Sequence, residues 1–242
     1  MTVLFHASDL HFGAEDGAAL AWFQQQVDSA RPDAVIITGD LTMRARSAEF
    51  AAAQAWLAAL GRPVLIEPGN HDLPYFNPVR RIWRPYGRVM RLQDQFHDGV
   101  TIDGVHLVSL PTTARAQWRL NWSKGKVNQR ALREALHSLA SRPADSVSIV
   151  LAHHPLIEAE TQSSGRTTGG RAALEALAAA GADAVLSGHV HDPFDLDVTT
   201  AGGPIRLIGA GTLSERVRAT RPSFNRLEIA GGKLDARVCA MD

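Results

Sequence analysis

The chain has 242 residues, enough to bury a sizeable core, and its 45% hydrophobic and 21% charged residues are ordinary for a soluble globular protein. Its formal net charge is zero, so no global attraction to nucleic acid or to an anionic membrane surface is built in. The single cysteine, Cys239, excludes an internal disulfide framework and fits a reducing compartment; in the last strand-like run it reads as a small buried hydrophobe. No apolar stretch approaches the roughly 20 residues that cross a bilayer, and no basic segment followed by an apolar one opens the chain. The expectation is a cytoplasmic protein.

Residues 3–8 form an apolar, strand-like run, and residues 16–30 carry helical spacing through Leu20, Phe23 and Val27. Residues 34–38 are a continuous apolar run between Pro32 and Gly39, as a parallel strand covered on both faces should be. Residues 47–60 are Ala-rich and helical, with Ser47 as the expected N-cap and Gly61 as the stop. Residues 64–67 make a third strand, closed by Pro68-Gly69. Over residues 73–91, Pro74, Pro78 and Pro85 allow only short or broken helices. Residues 100–110 read as a hairpin turning at Asp103-Gly104, and residues 111–126 as a polar loop. A helix over 128–139, a buried strand over 147–151, a Ser/Thr/Gly-rich loop over 161–170, a helix over 171–180 and a short strand over 184–186 follow. The tail reads as four antiparallel strands, 194–200, 205–208, 224–229 and 234–238, turning at Gly202-Gly203 and Gly231-Gly232. No internal repeat or linker interrupts the pattern, so one domain over residues 1–242 is expected. Two mixed sheets packed together with helices outside would satisfy it.

Five short polar clusters follow strand-like runs: Asp9-Leu10-His11, Gly39-Asp40, Gly69-Asn70-His71-Asp72, His153-His154 and Gly188-His189-Val190-His191. Parallel strands deliver their carboxyl ends to one edge of a sheet, where open α/β folds build their sites. A ligand set of His, Asp and Asn without Cys suits divalent Mn, Fe or Zn. Two such metals roughly 3.5–4 Å apart, bridged by hydroxide, can clamp a phosphate and attack its phosphorus in line. Asp40, a lone carboxylate freed by Gly39 to approach closely, is the natural bridge. Asp9 and His11 lie two apart, so an extended segment would point both the same way, and His189 and His191 repeat that spacing.

This ordered set, D-x-H, G-D, G-N-H-D, H and G-H-x-H over residues 9–191, resembles the calcineurin-like metallophosphoesterase superfamily, with every motif present. The resemblance implies an α/β fold, a four-layer αββα sandwich of two mixed β-sheets flanked by helices. It implies two divalent metal ions, one held by Asp9, His11, Asp40 and His191 and the other by Asp40, Asn70, His153 and His189. His71 would contact phosphate and protonate the leaving alkoxide as general acid. His153 rather than His154 is taken as the ligand, leaving His154 behind it or facing substrate. The short members with G-D-L-T and G-N-H-D look like cyclic-nucleotide or glycerophosphodiester phosphodiesterases. The expected activity is therefore hydrolysis of a small phosphodiester, with a 3′,5′-cyclic nucleotide as leading guess.

Alternatives of the same fold are a nucleotide-linked lipid pyrophosphate hydrolase, a phosphomonoesterase, a DNA exonuclease, and a scaffold that has lost its chemistry. Neutral charge disfavours nucleic acid as a partner, and no membrane is expected. Trp118 and Trp122, with Arg115 and Arg119 beside them, are the candidates for substrate contact, because aromatics on a polar loop are hard to explain by packing. Asp72 would either orient His71 or tie down its own turn. His6 reads as a satisfied core histidine, and Trp22 and Trp56 as core. Arg80, Arg81, Arg84, Arg88 and Arg91, interleaved with Trp83 and Tyr86, form either a rim that draws in an anion or a solvated helix face paired with acids. Oligomeric state stays open, and the Pro/Arg-rich middle segment would serve as a homodimer contact or as a lid.

Overall fold

The computed structural model describes residues 1–74, 77–97, 100–114, 123–159, 161 and 167–242. Three short apolar runs near the start, β1 (Thr2–Ala7), β2 (Ala34–Ile37) and β3 (Val64–Ile66), lie parallel in one sheet. Their near-complete burial on both faces explains why they read as continuous apolar stretches rather than alternating ones. A second parallel set, β4 (Val105–Ser109), β5 (Val147–Leu151), β6 (Ala184–Ser187) and β8 (Gly203–Gly209), forms the other sheet. The antiparallel strand β7 (Phe194–Thr200) finishes that sheet, in the order β4-β5-β6-β8-β7. The tail strands β9 (Ser223–Ala230) and β10 (Lys233–Ala240) return to the first sheet, whose order is β10-β9-β1-β2-β3.

Between the sheets lies a layer that includes Leu4, Ile36, Ile149, Leu151, Leu186, Ile208 and Leu227. Outside the first sheet, α1 (Gly17–Ala30) and α2 (Ser47–Ala59) bury Leu20, Phe23, Val27, Phe50 and Leu57. Outside the second, α5 (Gln129–Ala140) and α6 (Gly170–Ala179) bury Leu139, Ala173, Leu174 and Leu177. The result is the expected αββα sandwich of two mixed sheets. Between α2 and β4, the three-proline segment holds only the short helices α3 (Pro78–Trp83) and α4 (Val89–Phe96). Phe5 of β1 packs at 4.6 Å from Phe224 of β9, which meets Phe23 edge-on at 5.0 Å. Burying each such ring stabilises by roughly 1.5–3 kcal/mol, and together they fix β1 and so the Asp9 loop that follows it. Trp22 and Trp56 pack at the margin of this cluster. Among the described residues no helix is long and apolar enough to cross a membrane.

Three local expectations are corrected. Ser47 is the first residue inside α2, and Arg46 is the cap. The start of the helix is closed instead by Glu49, whose Oε2 accepts from the amides of Arg44 at 2.8 Å and Arg46 at 3.1 Å. The Asp103-Gly104 turn exists, with Gly104 at φ 71°, but only Ile102 and Val105 bridge across it. Residues 105–109 pair in parallel with β5, which offers a five-residue register where the hairpin offers one bridge. The tail strands do form two antiparallel pairs, yet the pairs go to different sheets and β8 runs parallel to β6. Cys239 lies on β10, half-buried against the first core cluster.

Candidate metal centre

Every cluster leaves the carboxyl end of a parallel strand: Asp9 and His11 after β1, Asp40 after β2, Asn70 and His71 after β3, His153 and His154 after β5, His189 and His191 after β6. The backbone there is not extended as the spacing suggested. Asp9, His11, Asp40, His189 and His191 all have positive φ, between 48° and 72°. The left-handed region costs a side-chain-bearing residue roughly 1–2 kcal/mol, and strain of this kind gathers at functional sites. Hydrogen bonds between loops hold it in place. Asp9 N donates to Gly39 O at 3.0 Å, and His11 N to Asp40 O at 2.9 Å. His71 N donates to Asp40 Oδ1 at 2.8 Å, and His189 N to Asp9 Oδ2 at 2.8 Å. Two glycines permit the close approach: a Cβ on Gly69 would collide with Asp40, and one on Gly188 with Ser8 Oγ.

The side chains converge as two clusters that share one carboxylate. In the first, Asp9 Oδ1 lies 3.2 Å from His191 Nε2 and 3.7 Å from His11 Nε2, and the two imidazole nitrogens are 3.3 Å apart. In the second, His153 Nε2 lies 3.1 Å from Asn70 Oδ1, and the His153 and His189 rings are 5.2 Å apart. Asp40 Oδ2 is 3.4 Å from His153 Nε2 and 3.9 Å from His11 Nε2, so one oxygen faces both groups. Asp9, His11, Asp40, His153 and His191 are buried, while Asn70, His71 and His189 are partly open to solvent.

The donor set fits divalent cations. Nδ1–H of His153 donates to Thr38 O, that of His191 to Arg216 O and that of His71 to Met43 O, each at 2.7 Å. Such carbonyl partners fix the tautomer and turn each Nε2 lone pair inward. Among the described residues Asp9 Oδ1 is buried with no hydrogen-bond partner. Lone pairs facing carboxylate oxygens repel unless a positive charge sits between them. Burial opposes charge on Asp9 and Asp40, yet the histidines beside them hold both carboxyls well below the usual range. Burial likewise opposes the proton on His153, but Asp40 pushes it up to about 9, and Asp9 raises His191 in the same way. His11 and His189 are lowered by burial, His189 to about 4 with His153 adding to the effect. Each cluster is thus built to hold positive charge beside a carboxylate and to keep its other imidazole basic sites unprotonated.

His154 is drawn into a different task. Its Nδ1 pairs with Thr112 Oγ1 at 2.9 Å and its Nε2–H donates to Ser123 O at 3.0 Å, so both ring nitrogens are engaged. Burial, with His189 and His153 nearby, lowers it well below the ordinary histidine value. Its ring lies 4.4 Å from that of His189 and 4.7 Å from that of His153, which makes it a backing for them. Asp72 does not meet His71; it accepts from the amides of Gly69, Leu41 and Thr42 and from the Thr42 hydroxyl, tying the turn to the Asp40 loop. His6 is satisfied by Thr38 and Asn225, and burial lowers it to about 3. Arg115, Trp118, Arg119 and Trp122 lie outside the described residues.

Two residues join the site that the motifs did not mark. Arg216, in the loop after β8, places Nη1 3.3 Å from His71 Nε2 and 3.5 Å from His11 Nε2. Its signal was available: Gly211-Thr212-Leu213-Ser214 is a further polar run after an apolar strand. Glu67, at the end of β3, is buried, with Ser109 Oγ donating to Oε2 at 2.6 Å and no partner on Oε1 among the described residues.

Comparison with known proteins places this geometry. The chain is 32% identical to glycerophosphodiester phosphodiesterase GpdQ of Enterobacter lignolyticus over a 93-residue alignment, covering 32% of this chain and 34% of that protein. It spans about a third of the length of that curated relative. Among solved structures, a dimetal phosphatase from Danio rerio superposes with a TM-score of 0.66 at 14% identity, covering 98% of both chains. GAP50, the anchor in the inner membrane complex of Plasmodium, superposes with a TM-score of 0.64 at 13% identity, covering 99% of this chain and 84% of that one. These structural likenesses share the fold. The family model for calcineurin-like phosphoesterases matches residues 2–193, and the chain belongs to that family of metal-dependent phosphoric ester hydrolases.

Proposed function

We propose that this chain is a dinuclear metal-dependent phosphodiesterase that hydrolyses a small phosphodiester, with a 3′,5′-cyclic nucleotide as the first substrate to test. The observation that carries the reading is the position of Asp40 Oδ2, which faces both His153 Nε2 and His11 Nε2 and so joins the two clusters. Asp9, His11, Asp40 and His191 would hold one ion, and Asp40, Asn70, His153 and His189 the other. The ions, when bound, supply Lewis-acid polarisation of the phosphoryl group and an activated water. Mn, Fe and Zn all accept this His/Asp/Asn set. The chain acts as one unit, because β9 and β10 from the tail complete the sheet that β1 opens.

The protein's own groups do the rest. His71, held by its bond to Met43 O, aims Nε2 at the cluster, from where the ring in its imidazolium form would pass a proton to the departing alkoxide. Arg216 Nη1, between His71 and His11, offers a charge-assisted hydrogen bond to a phosphoryl oxygen. His154, pinned by Thr112 and Ser123, keeps the rings of His153 and His189 in place.

The second reading is a scaffold, favoured by the likeness to GAP50, the anchor in the inner membrane complex of Plasmodium. A complete ligand set, most of it buried and with positive φ at five of its residues, argues against it, because a scaffold has no use for that strain. Metal analysis of the purified protein, followed by hydrolysis of bis-p-nitrophenyl phosphate, p-nitrophenyl phosphate and cyclic nucleotides with each metal, separates the two. Binding of about two ions per chain with turnover of diesters above monoesters is expected. Two bound ions and no ester cleaved would leave the scaffold.

A further inference from the structure

Residues 80–91 resolve into something other than a helix face paired with acids. Arg80, Arg84, Arg88 and Arg91 line one cavity of about 290 Å³, together with Asp72, Pro74, Pro85 and Gly87. None of the four arginines forms an ion pair among the described residues. Among the described residues Asp72 is the one acid on the wall, and its oxygens already accept from Gly69, Leu41 and Thr42. Arg88 is anchored, donating to Ala45 O and to Ser47 Oγ, and its planar group lies 6.0 Å from the Phe50 ring centroid. Arg80 and Arg91 are near enough to Arg88 to lower it further, after burial.

We propose that this cavity is an anion site for a phosphate or a phosphate-bearing small molecule, separate from the metal centre. Four arginine side chains lining one hollow hold like charges close together, a repulsion that a multiply charged anion would offset, and their planar forks suit phosphate oxygens. A carboxylate, with one charge, would leave most of that repulsion in place. The cavity is at the lower end of ordinary ligand pockets, roughly 300–1,000 Å³, so it takes a phosphate-sized group and not a lipid or a polymer. Its prolines present no amide donors, which leaves the arginines as the recognition elements. Asp72 on its wall follows His71 in the chain, so the cavity adjoins the metal centre and can receive either a second phosphate of the substrate or free phosphate.

The test is equilibrium dialysis of the metal-loaded protein with radiolabelled inorganic phosphate. Wild type should bind two phosphates per chain, one at the metals and one in the arginine cavity. The triple variant Arg80→Ala, Arg84→Ala, Arg91→Ala should keep two metal ions and lose one phosphate. Its three side chains form no hydrogen bond among the described residues, so the fold keeps its own bonds. Asp40→Asn should lose the phosphate at the metals and keep the one in the cavity, which separates failure of this inference from failure of the proposed activity. If the triple variant does not fold, Arg84→Glu alone should weaken the second phosphate by about tenfold or more. Wild type binding a single phosphate that Asp40→Asn removes, or a folded triple variant binding as wild type does, overturns the proposal. The source is read from kcat/KM on diesters with and without a further phosphate group. A fall in the triple variant confined to the phosphate-bearing diester assigns the cavity to substrate, and equal behaviour assigns it to free phosphate.

Discussion

Replacing Glu67 by glutamine should abolish a large part of the stability loss that the protein suffers between about pH 4.5 and pH 8. Glu67 is 1% exposed, and burial pushes its carboxyl from 4.5 up to about 8 against the smaller opposing effects of Ser109 and His153. The folded state therefore keeps a proton that the unfolded chain has released. Stability from this group is complete below the unfolded value of 4.5 and is lost as pH rises through about 8. At about 1.4 kcal/mol for each pH unit, that interval corresponds to on the order of 5 kcal/mol, a large share of the roughly 5–15 kcal/mol of an ordinary domain. Glutamine keeps the shape and can still accept from Ser109 Oγ, so at low pH the two proteins should agree within about 1 kcal/mol. Urea unfolding of both, with chelator present throughout so that metal linkage cancels, measures the difference at several pH values. The variant should become the more stable of the two as pH rises above about 4.5, with the gap full by about 8. Parallel profiles for wild type and variant would mean that Glu67 is already ionised in the fold, and the reasoning from burial would be refuted.

Other changes probe the centre itself. Asp40→Asn should lower kcat by at least about 100-fold and reduce bound metal below two ions; near-wild-type turnover would reject Asp40 as the bridge. His71→Ala should cost about 10²–10⁴-fold for alkoxide leaving groups and far less for p-nitrophenolate, which needs no proton; equal losses would remove its role as acid. Gly188→Ala drives a methyl into Ser8 and towards Asp9 Oδ2. It should cost about 1–3 kcal/mol of stability and raise the metal concentration needed for half-activation, while an unchanged metal titration would show that Asp9 tolerates the shift.

The part of this molecule most legible in the sequence was the edge of the sheets. An apolar run that stops at Gly39-Asp40 or Gly188-His189 has few readings, because a strand buried on both faces must end in a loop and parallel strands end together. What the sequence hid was backbone geometry. Positive φ is expected of glycine, and nothing in Asp9, His11 or His191 as residue types announces it. Arg216 was passed over because arginine is not a metal ligand, although its loop obeys the same strand-end rule. The Asp103-Gly104 hairpin failed because a local turn signal cannot weigh one bridge against the longer register that β5 offers from 42 residues away. The arginines of residues 80–91 were visible, but whether acids lay opposite them depended on how α3 and α4 packed.

The proposed ligand set is divided between the two sheets. Asp9, His11, Asp40 and Asn70 hang from the first, and His153, His189 and His191 from the second. Cations held by both sets would act as rivets through the open edge of the sandwich. Anything that binds only the native state stabilises it by mass action, about 2.7 kcal/mol at a hundred times Kd. Metal scarcity would then be felt twice, as silence of the catalyst and as a loosening of the two sheets along the edge where His153 reaches Thr38 and His189 reaches Asp9.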